Sequence, residues 1–244
     1  MNSEKFYNEL ITKFKDIVQE EKLLYEEVTI TAKSLTAVEA IGNPKKRDFP
    51  IIKGKEKLMQ AEFKGSKGQA FTDMPGNYIG TIQEILKTEL KTNFDRAVFI
   101  ATFNAVCRHL NLCDKTVHCK DREPEDCASK LINYIKKEYG NPKIALIGLQ
   151  PALLDSLSKH FIVRVLDMAE DTIGQIKYGV EIEDGESKTD EVLAWCDVIL
   201  ATGSTLANET ITFFLDKKPV IFYGTTAAAA ASLMNLERFC PCSH

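Results

Sequence analysis

No stretch of this 244-residue sequence approaches the roughly 18 consecutive uncharged apolar residues of a bilayer span, so no part of it reads as a transmembrane helix. The opening run MNSEKFYNELITKFKDIVQEE is charged and amphipathic and lacks the apolar centre of a signal peptide. An excess of positive charge is also missing. With 31 Lys and Arg against 35 Asp and Glu, the formal net charge is −4 and there is no global basic field to draw nucleic acid. The expectation is a cytoplasmic protein with neither a membrane nor a nucleic acid as partner. There is no GxSxG elbow, no HExxH and no Walker loop, so no common hydrolase, zincin or P-loop signature is present. The seven cysteines include no CxxC pair. An odd number without an export signal argues against a disulfide framework and for reduced thiols or metal ligands.

What is present divides into two rhythms. Residues 4–20 carry Phe6, Leu10, Phe14 and Ile17 at helical spacing. Leu23–Lys33 and Leu35–Ile41 read as strands, as do the shorter Leu58–Phe63 and Gln69–Phe71. The basic stretch Lys45–Lys57 reads as a solvated loop, without the aromatic residues that single-strand binding uses. Thr81–Leu90 and Asp95–Leu110 read as helices, the second capped by Asn93 or Asp95. This is an α+β pattern, and it is expected to fill a domain of residues 1–120.

Residues 121–244 form the second expected domain. Asp121 is expected to open a helix with Pro124 in its first turn and Gly140 at its end. Four short apolar runs follow: Ile144–Gly148, Phe161–Asp167, Val198–Thr202 and Val220–Gly224. Helical segments separate them, including one through Phe214 and an Ala-rich one from Ala227 to Leu236. Continuous apolar runs alternating with helices describe a Rossmann-like parallel sheet covered on both faces. The expected strand order is 2-1-3-4, and residues 168–185 are expected to hold a small hairpin.

In such sheets ligands sit beyond the carboxyl ends of the strands, where strand order reverses. This nominates Gly148, Gln150 and Pro151 from the first loop, and Thr202, Gly203, Ser204, Thr205 and Asn208 from the third. Gly224, Thr225 and Thr226 repeat the same chemistry after the fourth strand. Glycine allows close approach of a ligand, and the free N–H groups of a helix start attract an anion. Asp167 lies about 20 residues after Gly148, the separation of a ribose-binding acid, although the glycine fingerprint is incomplete. A nucleotide or adenosylmethionine is therefore the weaker alternative, and Asp167 as a plain strand end stays open. Cys240, Cys242 and His244 in the terminal Cys-Pro-Cys-Ser-His, with His118 and Cys119, are candidate ligands for zinc or iron. The terminal group is expected to turn back toward the cleft.

The stretches FTDMPGNYIGTIQEIL, IATFNAVCRHL, TVHCKDREPEDCA, IALIGLQPALL, VILATGSTLANETI, PVIFYGTTAAAAA and RFCPCSH resemble the family named "putative heavy-metal chelation". The resemblance covers most of the chain from about Phe71 onward and is most specific in TGSTLANETI and the GLQPA loop. It implies an enolase N-terminal-like domain joined to a Rossmann-like domain, with a site in the cleft between them, and it implies no settled reaction. The function expected is binding of a small anionic or metal-chelating molecule in that cleft, with or without chemical turnover. The alternatives are metal delivery without turnover and a nucleotide- or adenosylmethionine-dependent transferase. Self-association into a homo-oligomer is left open.

Overall fold

Helix α1 (Ser3–Glu20) begins at Asn2, whose side chain accepts the Lys5 N–H at 2.8 Å. It buries Phe6, Leu10, Phe14 and Val18, the stripe read from sequence with Val18 in place of Ile17. The computed structural model describes residues 2–31, 41–43 and 56–244. Strands β1 (Glu27–Thr31), β2 (Lys57–Phe63), β3 (Ser66–Thr72) and β4 (Tyr78–Thr81) form an antiparallel sheet in the order β3-β2-β1-β4. The expected strand Leu35–Ile41, apart from Ile41, and nearly all of the basic stretch Lys45–Lys57 lie outside the described residues.

Helix α2 (Ile82–Lys87) is shorter than expected. Helix α3 (Asn93–His109) crosses the sheet and is buried along most of its length. It lies so close to β3 that a Cβ on Gly68 would stand 2.2 Å from the Ala105 nitrogen. Its cap is Thr92, not Asn93 or Asp95. Thr92 Oγ1 accepts the Asp95 N–H at 3.1 Å, while Asp95 Oδ2 accepts the Thr92 N–H at 2.9 Å. Two otherwise orphaned donors are thereby satisfied reciprocally. Thr92→Ala is expected to cost about 1 kcal/mol, read as a lower urea midpoint with an unchanged slope; an unchanged midpoint would contradict this role.

Helix α4 (Glu123–Tyr139) carries Pro124 in its first turn and ends at Gly140, at φ 74°. Asp121 does not open it. That residue sits at φ 54° in the preceding turn, and its Oδ1 accepts the Asn43 N–H at 2.8 Å. Beyond α4 come β5 (Ile144–Ile147), α5 (Pro151–Leu157), β6 (Val163–Asp167), β7 (Ile176–Lys177), β8 (Val180–Asp184), α6 (Thr189–Trp195), β9 (Val198–Thr202), β10 (Val220–Tyr223) and α7 (Ala228–Leu233). The second sheet has the order β10-β9-β5-β6-β8-β7. The four expected runs are β5, β6, β9 and β10, parallel and in the expected order. The hairpin is β7–β8, and β8 extends the parallel set beside β6.

Alternate residues of each central strand enter different cores. Ile144, Leu146, Val163, Val165, Val198, Leu200 and Ile221 pack with α4 and α5. Ala145, Ile147, Leu166, Ile199, Ala201 and Phe222 face α6, α7 and the aromatic cluster of α1 and α3. This second core is continuous with that of the antiparallel sheet. Polar pins cross the same junction. Arg96 on α3 donates through Nε to Ala207 O at 2.8 Å and through Nη1 to Glu209 Oε2 at 3.0 Å. Asn104 Nδ2 lies 2.9–3.2 Å from the carbonyls of Gln69, Thr225 and Thr226, and its Oδ1 accepts the Ala229 N–H at 2.8 Å.

The helix expected after β9 is absent. Two 3₁₀ turns, Gly203–Leu206 and Ile211–Phe213, take its place. Side chains here bind the local backbone and compete with helical pairing. Thr205 Oγ1 donates to Thr202 O at 2.8 Å, the Asn208 amide Nδ2 donates to Thr210 Oγ1 at 2.8 Å, and Glu209 at φ 66° breaks the spiral. After α7 the chain lies along β10, with Phe222 N donating to Glu237 O and Phe239 N donating to Phe222 O, both at 2.8 Å. It then reaches Val117, where Val117 and His244 exchange two backbone hydrogen bonds of 2.8 Å.

Candidate functional site

The carboxyl ends of β5, β6, β9 and β10 meet the antiparallel sheet and the C-terminal tail around a cavity of about 160 Å³. An apolar cavity of about 150 Å³ accommodates benzene, so there is room here for a small ring or short chain. A second cleft of about 590 Å³ adjoins it. Glu56, Gly148, Asp167, Thr202 and Ser204 wall both.

This shared wall lies where strand order reverses. The loops after β5 and β9 stand against each other, and a Cβ on Gly148 (φ 86°) would come within 2.8 Å of Thr202 Cγ2. Asp167 ends β6 and secures the first loop: its Oδ2 accepts the Leu149 N–H at 2.6 Å and its Oδ1 the Ala169 N–H at 2.8 Å. Tyr223 donates from β10 toward Gly148 O at 2.8 Å and Ile147 O at 3.0 Å. Burial, then the negative charge of Asp167 and Glu56, holds its hydroxyl well above the ordinary tyrosine range.

Among the candidates from sequence, Gly148, Gln150, Asp167, Thr202, Gly203, Ser204, Gly224 and Thr226 line the cavity, and Thr205 and Asn208 line the adjoining cleft. Pro151 and Thr225 line neither. Pro151 is buried at the start of α5, which Gln150 caps by accepting the Leu153 N–H at 2.5 Å. Thr225 is fully buried. Gly203 serves packing as well as access: a Cβ there would meet the Ala227 nitrogen at 2.8 Å, so a larger residue would displace backbone and not only a ligand. The anion-binding helix start expected at Thr202–Thr205 does not exist, because a four-residue 3₁₀ turn carries little dipole and Thr202 Oγ1 already accepts the Ser204 N–H at 3.3 Å.

The opposite wall is sulfur-rich. His118, Cys119, Cys127 and Cys240 line it together, although they come from three separate parts of the chain. Cys127 follows the His118-Cys119 pair in the sequence but was not among the expected ligands, and Glu56 and Tyr223 were not singled out. His118 Nδ1 lies 2.6 Å from Cys119 O, and burial pulls its imidazole below the usual range, toward the neutral form. The Cys127 thiol, then Arg238 and His118, hold the Cys240 thiol well below the ordinary range against the opposing effect of burial, while Cys240 and burial raise that of Cys127. Burial raises the Cys119 thiol. The tail does turn back, but not as one cluster. Cys240 reaches the cavity, Cys242 Sγ takes a contact from Lys130 Nζ at 3.6 Å, and His244 Nε2 sits 3.0 Å from Glu123 Oε2. Among the described residues no three His, Cys, Asp or Glu side chains converge to hold a metal ion.

The charge on the lining is one-sided. Glu56, Asp167 and Asp171 contribute carboxyl groups, and no Lys or Arg lines the cavity among the described residues. Burial, with Asp167 and Asp73 adding repulsion, pushes the Glu56 carboxyl up to about 7.

Residues 131–236, from within α4 to just past α7, match the family DUF364, described as "Putative heavy-metal chelation". This segment is a DUF364 match. It contains every strand of the parallel sheet and both glycine loops that face each other across the switch point. The whole fold is similar to that of a DUF364-family protein of unknown function from Pyrococcus horikoshii, with 17% identity, a TM-score of 0.55, and coverage of 89% of this chain and 80% of that one. A DUF364-family protein of unknown function from Desulfitobacterium hafniense DCB-2 aligns with a TM-score of 0.47 at 12% identity, over 73% of this chain and 72% of that one. No curated protein matches. Among the described residues no helix is long and apolar enough to cross a membrane.

Proposed function

We propose that the chain binds a small metal-chelating molecule, neutral or cationic, across the cavity between the two sheets and the larger cleft that adjoins it. The observation that carries this reading is the lining: carboxyl groups at the strand ends, thiols and a largely neutral His118 opposite, and no Lys or Arg among the described residues. Such a wall repels an anion and favours a ligand of zero or positive charge. The DUF364 match supports a role with metals. Among the described residues no three metal-ligating side chains converge, which favours a metal that enters as cargo on its chelator. Both oxygens of Asp167 already serve loop N–H groups, which weakens the ribose-binding alternative.

Titration calorimetry with two zinc chelates of opposite character tests this. Zinc histidinate, which is neutral, is expected to bind one to one, while anionic zinc citrate is expected to bind at least 10-fold more weakly. Asp167→Asn, with circular dichroism to confirm folding, is expected to weaken zinc histidinate binding by about 10-fold, or roughly 1.4 kcal/mol. Equal affinity for the two chelates, or a folded Asp167→Asn protein that binds as well as the parent, overturns the proposal.

A further inference from the structure

We infer that the ligand is a protonated amine bearing a small apolar or heteroaromatic ring, its ring in the cavity of about 160 Å³ and its ammonium held by Glu56 where that cavity meets the larger cleft. This rests on the reading above for the place of the ligand, and it needs no metal.

Two features carry it. The first is a carboxyl without a partner. Glu56 directly precedes β2, and the pairing of Lys57 with Thr72 sets it opposite Asp73 at the open end of the β2–β3 hairpin. From there it borders both the cavity and the cleft. The neighbouring acids are engaged: Asp73 Oδ1 accepts Asn93 Nδ2–H at 2.7 Å, and each oxygen of Asp167 accepts a backbone N–H. Glu56 is deeply enclosed, yet among the described residues it accepts no hydrogen bond and pairs with no cation. An enclosed carboxylate in that state is unfavourable, and buried polar groups in folded proteins nearly always have a partner. The open side of Glu56 is the ligand space, and the acids around it set the sign of what can enter as a cation. One free carboxylate offers too few donors for a bare metal ion, and no three metal-ligating side chains converge among the described residues. It does match an ammonium, which it can hold by charge-assisted hydrogen bonding. Thr202 and Ser204, with hydroxyl oxygens 3.0 Å apart on the same wall, offer acceptors for the remaining ammonium protons.

The second feature is the apolar side of the cavity. Ile41, Phe71, Leu131, Leu149, Leu153 and Phe239 line it, and a space of this size takes one small ring. Glu56 lines the same cavity, so a short linker joins ring and ammonium.

Titration calorimetry of the full chain above neutral pH, where Glu56 is ionised, compares benzylamine with benzyl alcohol. The two share ring and linker, differ in charge, and neither chelates a metal. Benzylamine is expected to bind one to one and about 10-fold more tightly than the alcohol. Glu56→Gln, with circular dichroism to confirm folding, is expected to bring the two affinities together by weakening benzylamine alone. The comparison on the parent protein needs no variant, so a poorly folding substitution leaves the test intact. Zinc histidinate is titrated alongside. If it binds while benzylamine binds no tighter than the alcohol, or not at all, the amine inference falls and the chelate reading stands. If benzylamine is selected and zinc histidinate does not bind, the amine inference stands and the chelate reading falls. A preference for benzylamine that survives in folded Glu56→Gln also overturns the inference.

Discussion

Asn104→Ala is expected to lower the unfolding free energy by about 4 kcal/mol. The side chain is fully buried in α3 and makes four contacts, three from Nδ2 to carbonyls and one from Oδ1 to the Ala229 N–H. Ala229 lies in the first turn of α7, where a backbone N–H has no partner within the helix. Truncation orphans that donor and removes the donor shared by Gln69, Thr225 and Thr226. Each buried polar group left unsatisfied costs about 1–3 kcal/mol, and the costs are not fully additive. In a chain of this size the melting temperature should fall by on the order of 10 °C. The same side chain ties β3 to the loop after β10, so Asn104→Ala is also expected to loosen the cavity wall. Thermal and urea unfolding measure the effect, and a loss below about 1 kcal/mol would show that the contacts are replaceable.

Glu56→Gln is expected to stabilise the protein above neutral pH and to leave it unchanged in acid. Burial, reinforced by Asp167 and Asp73, raises the folded-state carboxyl from 4.5 to about 7. The protonated form is therefore the one that suits the fold. Its contribution is fully present below about pH 4.5 and is lost as pH rises through about 7. At most this amounts to about 3 kcal/mol, and the partial exposure of the side chain reduces it toward about 1–2 kcal/mol. Glutamine mimics the protonated acid without ionising. Unfolding free energies of the two proteins should coincide near pH 4.5 and separate by pH 8.5, with the variant the more stable. A parallel pair of pH profiles would remove Glu56 from the titrating groups of the cavity. The same ionisation bears on binding, since the deprotonated carboxylate adds attraction for a cationic ligand at the higher pH.

The parallel sheet was legible because its central strands are buried on both faces, which leaves runs such as IALI and VILAT almost without polar interruption. Strand β8 was harder to read. VEIED alternates, carries three acids and lies one strand in from the margin, beside the two-residue β7, and only Ile182 in it is fully buried. The segment after β9 misled because its apolar residues fall at helical spacing, while its Ser, Thr and Asn side chains satisfy the backbone in another way. The strand-end rule led to Gly148, Asp167, Thr202 and Ser204, which line one cavity. It could not find Glu56, which is hidden in a lysine-rich stretch and significant only for what lies opposite. Nor could spacing show that Cys127 and Cys240 line the same cavity, because that depends on where the tail runs after α7. The glycines posed a related difficulty: Gly203 reads from sequence as room for a ligand, and in three dimensions much of that room belongs to Ala227.

The tail that follows α7 has one more effect. By pairing with Phe222 it occupies the outer side of β10, and the opposite margin of that sheet ends in β7, only two residues long. In the other sheet, Thr116 O accepts the Gln69 N–H at 3.1 Å along the outer side of β3. Unpaired strand margins are the usual templates for runaway polymerisation, in which one chain extends the sheet of the next. Here the margins of β10 and β3 are partly capped by the chain itself, so neither offers a long free row of donors and acceptors onto which another molecule can zip.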